Sequence, residues 1–343
     1  MKRKFLSLVL SALMLFAAVT PAFAEGEAFD SFGAYKHVFI IGVDGCGAAW
    51  SEVNSPNFDR IFVDDNAWRY NAIPEYETTS AQNWGSILTG VAYDVHGFKN
   101  DTAADYERDS SSGNNSIFYY ARQEFPESEL VSFNHWTAIN HGIIENDINV
   151  KKINRGTDPL VVQAIETYLN AGNEPTVLFC QLDSVDHAAH TYGGFSKQYY
   201  NAAEKADEYL GKIYDAVEAN GFMDDSLFIV VADHGETANG HGGRTAEEAS
   251  AVLAVAGRSV NAGELDETVR NRDVAAIALY ALGIEKPAHM TAELPDGLFG
   301  EEREKTTAPN PMSCFAKFWQ DFAYFFVRMV NALVSIFDGS GIY

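Results

Sequence analysis

The sequence predicts an α/β domain with a mostly parallel central sheet and helices on both faces. Short apolar segments alternate with longer amphipathic ones between about residues 36 and 287, as expected of strand–helix units. The apolar segments are rich in Val, Ile, Leu and Phe and lack polar alternation, which is typical of strands buried on both faces. The predicted strands are His37–Val43, Leu130–Phe133, Thr176–Leu182, Leu227–Ala232 and Val252–Ala256.

The segments between these strands are predicted as helices because their apolar residues recur at helical spacing. The clearest case is Lys197–Ala219, where six apolar or aromatic residues fall on one face and charged residues lie between them. Residues 101–116 are rich in Ser, Asp and Asn and are predicted as an exposed loop. The other predicted helices are Asn57–Val63, Ala81–Leu88, Ile117–Glu124, Pro159–Ala171 and Val274–Leu282.

The start of the chain has the pattern of an export signal. Residues 1–24 combine a basic start, an apolar run and the small-x-small sequence Ala22-Phe23-Ala24, which is typical of a cleaved secretory signal peptide. The alternative is an uncleaved N-terminal anchor. The protein is therefore expected to be secreted or extracytoplasmic. Its three cysteines, Cys46, Cys180 and Cys314, cannot all pair within one chain, so the fold is not expected to depend on disulfides.

The end of the chain predicts a separate helix. Residues 315–337 carry large aromatic and aliphatic side chains mostly at spacings of three and four, after a linker that contains Pro309 and Pro311. Such a helix could dock on the protein's own core, lie on a membrane surface or join a partner helix. The predicted organisation is thus a signal peptide (1–24), a catalytic domain (25–308), and a linker with an amphipathic aromatic-rich helix (309–343).

The charge balance narrows the class of ligand. The formal net charge is −24, so the surface repels phosphate backbones and non-specific binding to nucleic-acid polymers is not expected. Small anionic substrates remain compatible with this charge if bound cations invert the field locally.

Acidic and histidine residues follow three of the predicted strands. Because the carboxyl ends of parallel strands share one edge of a sheet, these side chains are expected to converge. Carboxylate and imidazole ligands together favour zinc, with manganese or iron as alternatives. Two pairs, Asp183/His187 and Asp186/His190, have the i, i+4 spacing that places both members on one helical face. The residues are Asp44 after the first strand, Asp183, Asp186, His187 and His190 after the third, and Asp233, His234 and His241 after the fourth.

Two further motifs, taken with these residues, resemble a known family. They are Thr78–Gly90, which contains Ser80, and His96-Gly97 followed by Asn100. Their order along the chain is similar to that of the alkaline phosphatase superfamily, and of its nucleotide pyrophosphatase/phosphodiesterase-like branch in particular. The resemblance covers about residues 36–287 and implies the alkaline phosphatase-like fold.

The resemblance assigns roles to these positions. Ser80 falls where the family has its nucleophile, although the branch more often has Thr, so Thr79 is the alternative. Asn100 matches the Asn that donates to a non-bridging phosphate oxygen. One ion would be held by Asp44, Ser80, Asp233 and His234, and the second by Asp183, His187 and His241, with Asp186 and His190 as the alternative register.

The function implied by the resemblance is that of an exported two-metal phosphoesterase with two divalent ions, zinc being favoured. It would hydrolyse phosphodiester or pyrophosphate bonds of small molecules through a phosphoseryl intermediate. The alternatives are a phosphomonoesterase of the same fold and a non-catalytic surface-binding module. A sulfatase is disfavoured, because Gln82 and Trp84 occupy the positions where sulfatases have Pro and Arg. The segment from Asn134 to His141 could line a substrate pocket or merely pack.

Overall fold

A single eight-stranded sheet organises the part of the chain that the computed structural model describes, residues 31–300. The strand order is β4-β3-β5-β1-β6-β7-β2-β8. Every neighbouring pair is parallel except those of β7, which runs antiparallel to β6 and β2. This confirms the predicted α/β class. The strands are β1 His37–Val43, β2 Ala67–Ala72, β3 Glu129–Asn134, β4 Lys151–Asn154, β5 Pro175–Leu182, β6 Ser226–Val231, β7 Ala251–Ala256 and β8 Gly263–Glu264.

The predicted helices are present with small shifts at their ends, and the fold contains several additional short helices that were not predicted. The first, α1, continues directly into a π-helical turn over Asp59–Val63. The α-helices are α1 Pro56–Phe58, α2 Ser80–Thr89, α3 Tyr93–His96, α4 Asn100–Asp105, α5 Ile117–Glu124, α6 Asp158–Asn170, α7 Ser184–Tyr192, α8 Lys197–Ala219 and α9 Val274–Ala281.

The apolar core lies in two layers, one on each face of the sheet. Alternate residues of β1 enter different layers because successive side chains of a strand point to opposite faces. Val38 and Ile40 pack in one layer with residues of α2, α5 and α9. Phe39 and Ile41 pack in the other with residues of α6 and α8. Both faces of β1 are therefore covered, which explains why all seven of its residues are buried.

The carboxyl ends of three central strands meet at one edge of the sheet. Ile41 of β1 pairs with Cys180 of β5 on one side and with Val230 of β6 on the other. The residues that follow these strands therefore emerge side by side, as the sequence predicted. Cys46 and Cys180 are buried free thiols, while Cys314 lies outside the described residues.

Some local structure differs from the prediction. β2, β4 and β8 were not predicted, since they carry exposed polar residues and lack a continuous apolar run. The predicted loop over residues 101–116 is wrong in part, because α4 covers Asn100–Asp105 and a 3₁₀ turn covers Ser110–Ser112.

Both predicted terminal segments, 1–24 and 309–343, lie outside the described residues. Among residues 31–300, no helix combines the length and the apolar composition needed to cross a membrane.

Candidate metal and phosphoester site

The first predicted ligand set comes together at the ends of β1 and β6. His234 Nε2 lies 3.2 Å from Asp233 Oδ2 and 3.7 Å from Asp44 Oδ1. The hydroxyl oxygen of Ser80 lies 3.5 Å from the same nitrogen. All four residues are buried, and the three titratable ones are at most 1% exposed. The structure thus brings together Asp44, Ser80, Asp233 and His234, as the sequence predicted.

Ser80 is the first residue of helix α2, where unsatisfied backbone N–H groups and the helix dipole favour negative charge. The predicted Asn100 lies next to it, since its Oδ1 accepts a hydrogen bond of 2.9 Å from the Ala81 N–H. The Nδ2 atom is the donor that remains on this amide. Thr79, the alternative nucleophile, precedes the helix in an extended conformation.

The second cluster uses the alternative register on helix α7. Asp186 Oδ1 lies 3.3 Å from His241 Nε2, and Asp186 Oδ2 lies 3.4 Å from His190 Nε2. The two imidazole Nε2 atoms are 3.1 Å apart. His241 is thus brought to Asp186 and His190 rather than to the preferred pair.

The preferred pair occupies different positions. His187 and His190 are both exposed, and the metal-competent clusters among residues 31–300 include neither, but His190 Nε2 lies 3.1 Å from His241 Nε2. Asp183 precedes the first residue of α7 and lies in a cluster with Asp44 and Asp186. The reason is helical phase: residues 186 and 187 are about 100° apart around the axis, so only one i, i+4 pair can face His241.

Both clusters fit divalent cations by their spacing. Donor atoms bound at about 2.0–2.1 Å around a tetrahedral zinc ion lie about 3.3–3.4 Å from one another. The distances within the two clusters scatter around this value. Three buried carboxylate oxygens, Asp44 Oδ1, Asp186 Oδ1 and Asp233 Oδ2, have no hydrogen-bond partner. Buried acceptors without donors are costly, and a bound cation at each cluster would satisfy them.

The carboxylates are oriented by neighbours to which the sequence pattern assigned no such role. Asp44 Oδ2 accepts hydrogen bonds from Trp84 Nε1 and Gln181 Nε2, both 2.8 Å long. Gln181 Nε2 also donates to Asp183 Oδ1. Asp158 accepts from the N–H groups of Asp183 and Ser184, and so anchors the start of α7. Trp84, Gln181 and Asp158 are recognised as supporting residues because they are buried polar or indole side chains next to the strand ends.

The histidines are held with Nε2 directed to the clusters. His241 Nδ1 lies 2.6 Å from the Thr78 carbonyl, and His234 Nδ1 lies 3.1 Å from the Gly235 carbonyl. A carbonyl only accepts, so each Nδ1 carries the proton and each Nε2 keeps its lone pair. Burial, with a further effect from His241, holds the pKa of His234 well below its usual range. Both features suit neutral imidazole ligands.

The site concentrates negative charge. Burial, followed by the neighbouring carboxylates Asp233, Asp186 and Asp183, raises the pKa of Asp44 well above its usual range. Burial also raises the pKa of Asp233. Glu236, which the sequence pattern did not mark, is 1% exposed, and burial and then Asp186 raise its pKa to about 10. Cations are the natural counter-charge for such a group of acids.

Two other segments noted in the sequence, His96-Gly97 and Asn134–His141, contact other parts of the fold. His96 Nδ1 accepts from the Phe98 N–H and its Nε2 contacts Ser86 Oγ, so the ring links α2 to the segment that leads to Asn100. From the segment Asn134–His141, Thr137, Asn140 and His141 line a cavity of about 280 Å³ with Lys152 and Asn154.

Comparisons with known proteins show which family and which folds the chain resembles. A sequence profile of the family "Type I phosphodiesterase / nucleotide pyrophosphatase" matches residues 119–313. Curated relatives include GPI ethanolamine phosphate transferase 1 from Candida glabrata, 30% identical over 151 residues, which is 38% of this chain and 16% of the relative. The same transferase from Saccharomyces cerevisiae is 28% identical over 153 residues, 38% of this chain and 17% of the relative. The match thus spans about a sixth of these relatives.

Solved structures share the fold at low sequence identity. Murine ectonucleotide pyrophosphatase / phosphodiesterase 5, in a complex of an inactive variant with AMP, superposes with a TM-score of 0.61 at 12% identity, over 76% of this chain and 97% of that chain. The lipoteichoic acid synthase LtaP from Listeria monocytogenes gives a TM-score of 0.58 at 12% identity, over 90% and 96%. A 2-O GAG sulfatase gives 0.63 at 11% identity, over 81% and 76%.

Proposed function

The chain belongs to the type I phosphodiesterase / nucleotide pyrophosphatase family of the alkaline phosphatase superfamily, and from this premise we propose that it is an exported two-metal phosphoesterase. Its substrates are small molecules with phosphodiester or pyrophosphate bonds. The observation that carries the proposal is the position of Ser80, at the start of α2 and 3.5 Å from His234, beside two clusters of metal-competent ligands.

Two divalent ions, with zinc favoured, would supply charge neutralisation at the phosphoryl group and at the reacting oxygens. Asp44, Ser80, Asp233 and His234 would hold one ion. Asp186, His190 and His241 would hold the other, in the register that the measured distances support.

The protein residues then divide the reaction as follows. The Ser80 hydroxyl gives up its proton to solvent and its Oγ attacks phosphorus. The bond to the leaving oxygen breaks, that oxygen keeps the electron pair and takes a proton from solvent, and a phosphoseryl group forms. Water attacks this group in a second step and releases Ser80. The Asn100 Nδ2 donor and the N–H groups at the start of α2 bind non-bridging oxygens. His234 and His241 contribute the lone pairs of their Nε2 atoms to the ions rather than protons to the substrate.

The experiment compares hydrolysis of bis-p-nitrophenyl phosphate and p-nitrophenyl phosphate, with zinc and with EDTA. We expect diester turnover that EDTA abolishes. Ser80→Ala should reduce it by at least about 10³-fold, because without the nucleophile only ligand binding and charge stabilisation remain. Thr79→Ala is the matched control, since the Thr79 side chain makes no capping hydrogen bond. Equal rates for wild type and Ser80→Ala would disprove the nucleophile, and faster monoester turnover would favour the phosphomonoesterase alternative.

A second candidate is transfer of the phosphoryl group to an alcohol. It is favoured by the match to the GPI ethanolamine phosphate transferases. In this version a hydroxyl compound instead of water attacks the phosphoseryl group. Adding glycerol to the diester assay distinguishes the two: a transferase forms a glycerol phosphoester with each p-nitrophenol released, whereas a hydrolase releases only the free phosphomonoester. A protein that binds the diester without turning it over would be the non-catalytic surface-binding module.

Export and membrane-surface contact through residues 315–337 are further parts of the proposal. They are supported by the sequence patterns of the two termini. Flotation with liposomes should differ between the full chain and a chain truncated after Ala308. Equal flotation of the two would remove the membrane contact from the proposal.

A further inference from the structure

Glu236 is a buried acid that the reaction above does not use. It lies two residues beyond His234 on the segment that follows β6 and is 1% exposed. Neither Oε1 nor Oε2 has a hydrogen-bond partner. An ionised carboxylate held away from water without a donor or a cation is strongly unfavourable, so Glu236 must either keep its proton or meet a positive group.

The protein itself does not supply that group. Glu236 forms no ion pair with Lys or Arg among residues 31–300, and its contact with a basic side chain joins Oε1 to His234 Nδ1 over 4.0 Å. That distance is too long for a hydrogen bond. The proton on His234 Nδ1 is moreover directed to the Gly235 carbonyl, 3.1 Å away. Glu236 is therefore not the acceptor that orients His234.

The carboxylate of Glu236 instead lies among ligands of both clusters, Asp186 and His241 of the second and His234 of the first. One of its oxygens and one ligand atom each of Asp186, His234 and His241 all lie within 4.8 Å of one another. Gly45 shows how closely the two carboxylates are held. A Cβ at this residue would lie 2.9 Å from Asp186 Cβ and 3.0 Å from Glu236 Oε1. The end of β1 thus approaches both acids, and Asp186 Oδ1 is also without a hydrogen-bond partner.

We infer that Glu236 is an additional protein ligand of the divalent ion held by Asp186, His190 and His241. The inference rests on the two-metal site of the proposed function. It makes the donor set of this ion two carboxylates and two imidazoles. The added charge binds the ion more tightly and shifts the preference of this cluster toward harder ions such as Mn²⁺. The other ion keeps Asp44, Ser80, Asp233 and His234 as its protein ligands.

The test measures metal retention and needs no turnover. Wild type, Glu236→Gln and Glu236→Asp are loaded with Zn²⁺ alone and dialysed against a competing chelator, and bound zinc is counted by elemental analysis. Glu236→Gln keeps the shape of the side chain and removes its charge. We expect it to retain about one ion where the wild type retains two, and to bind the weaker ion at least about tenfold less tightly. Glu247→Gln is the control, since Glu247 is an exposed acid of the same segment.

The outcomes separate this inference from the proposed function. Wild-type stoichiometry and affinity in both Glu236 variants would overturn it, and would mean that Glu236 shares a proton with Asp186 instead of a cation. Circular dichroism checks that Glu236→Gln is folded. If it is not, zinc retention by Glu236→Asp tests the inference, and we expect this variant to retain one of the two ions more weakly than the wild type does. A wild type that binds two ions but hydrolyses no phosphoester would refute the proposed function and leave the inference about Glu236 intact.

Discussion

Gln181 shows how single polar residues support the site. It is fully buried at the end of β5, and its Nε2 donates to Asp44 and to Asp183, while its Oε1 accepts from the Trp136 N–H. One amide therefore fixes two carboxylates on neighbouring strands. Residues of this kind orient metal ligands, and their removal typically weakens metal binding.

Replacing Gln181 with Met should loosen Asp44 with little change in volume. We expect zinc affinity to fall by about 10–100-fold, because Asp44 Oδ2 keeps only the Trp84 donor. Competition with a chromophoric chelator measures the affinity, and circular dichroism checks that the variant is folded. Unchanged affinity would show that Trp84 alone is sufficient to orient Asp44.

The close contact between strand β1 and helix α2 brings Ser80 and Asp44 near each other. Gly42, next to last in β1, has no side chain, and the indole of Trp84 occupies the space beside it. A Cβ on Gly42 would lie 2.5 Å from the Trp84 ring. The same ring donates to Asp44. Strand and helix can therefore approach closely enough to place Ser80 and Asp44 in one cluster.

Gly42→Ala should consequently destabilise the fold and disturb the site. A methyl group forced into this contact costs about 1–3 kcal/mol of unfolding free energy, measurable by urea denaturation. The matched control is Gly156→Ala. A Cβ on Gly156 would meet no heavy atom within 4 Å, and the backbone there is not left-handed, so its change should stay below about 1 kcal/mol. A Gly42→Ala protein as stable as the control would contradict the close approach.

Charge is the dominant property of the whole molecule. The chain carries a formal net charge of −24, and the buried acids Asp44, Asp186, Asp233 and Glu236 lie together at one edge of the sheet. Bound divalent ions would lower this repulsion, so metal binding and folding stability are expected to be linked.

Removal of metal should therefore lower the thermal stability of the entire domain. At free zinc 100 times above its dissociation constant, each bound ion adds about 2.7 kcal/mol to the unfolding free energy. For a domain of this size that corresponds to a shift of about 5–10 °C per ion. Calorimetry with zinc, after EDTA, and after zinc is restored measures it. Identical transitions in zinc and in EDTA would show that the clusters hold no ion in the folded protein.

Local residue patterns were enough to predict the α/β class, the central strands and the strand ends that meet at one edge. Short apolar runs such as His37–Val43, seven residues long and rich in Val and Ile, are typical of strands covered on both faces. These patterns also placed Asp44, Asp233, His234 and His241 together, because parallel strands bring their carboxyl ends to one edge, whereas the place of Ser80 followed from the resemblance of its motif to the family.

Other features of the fold and the site depend on contacts between distant parts of the chain. Asp183/His187 and Asp186/His190 have the same spacing, so the choice between them depends on where α7 begins and which face it turns toward His241. The reversed direction of β7, the polar strands β2 and β4, and the roles of Gln181 and Glu236 depend likewise on contacts between residues far apart in the chain. The local hydrophobic pattern shows which face of a segment is apolar. Which other segments that face contacts depends on packing between residues far apart in the chain.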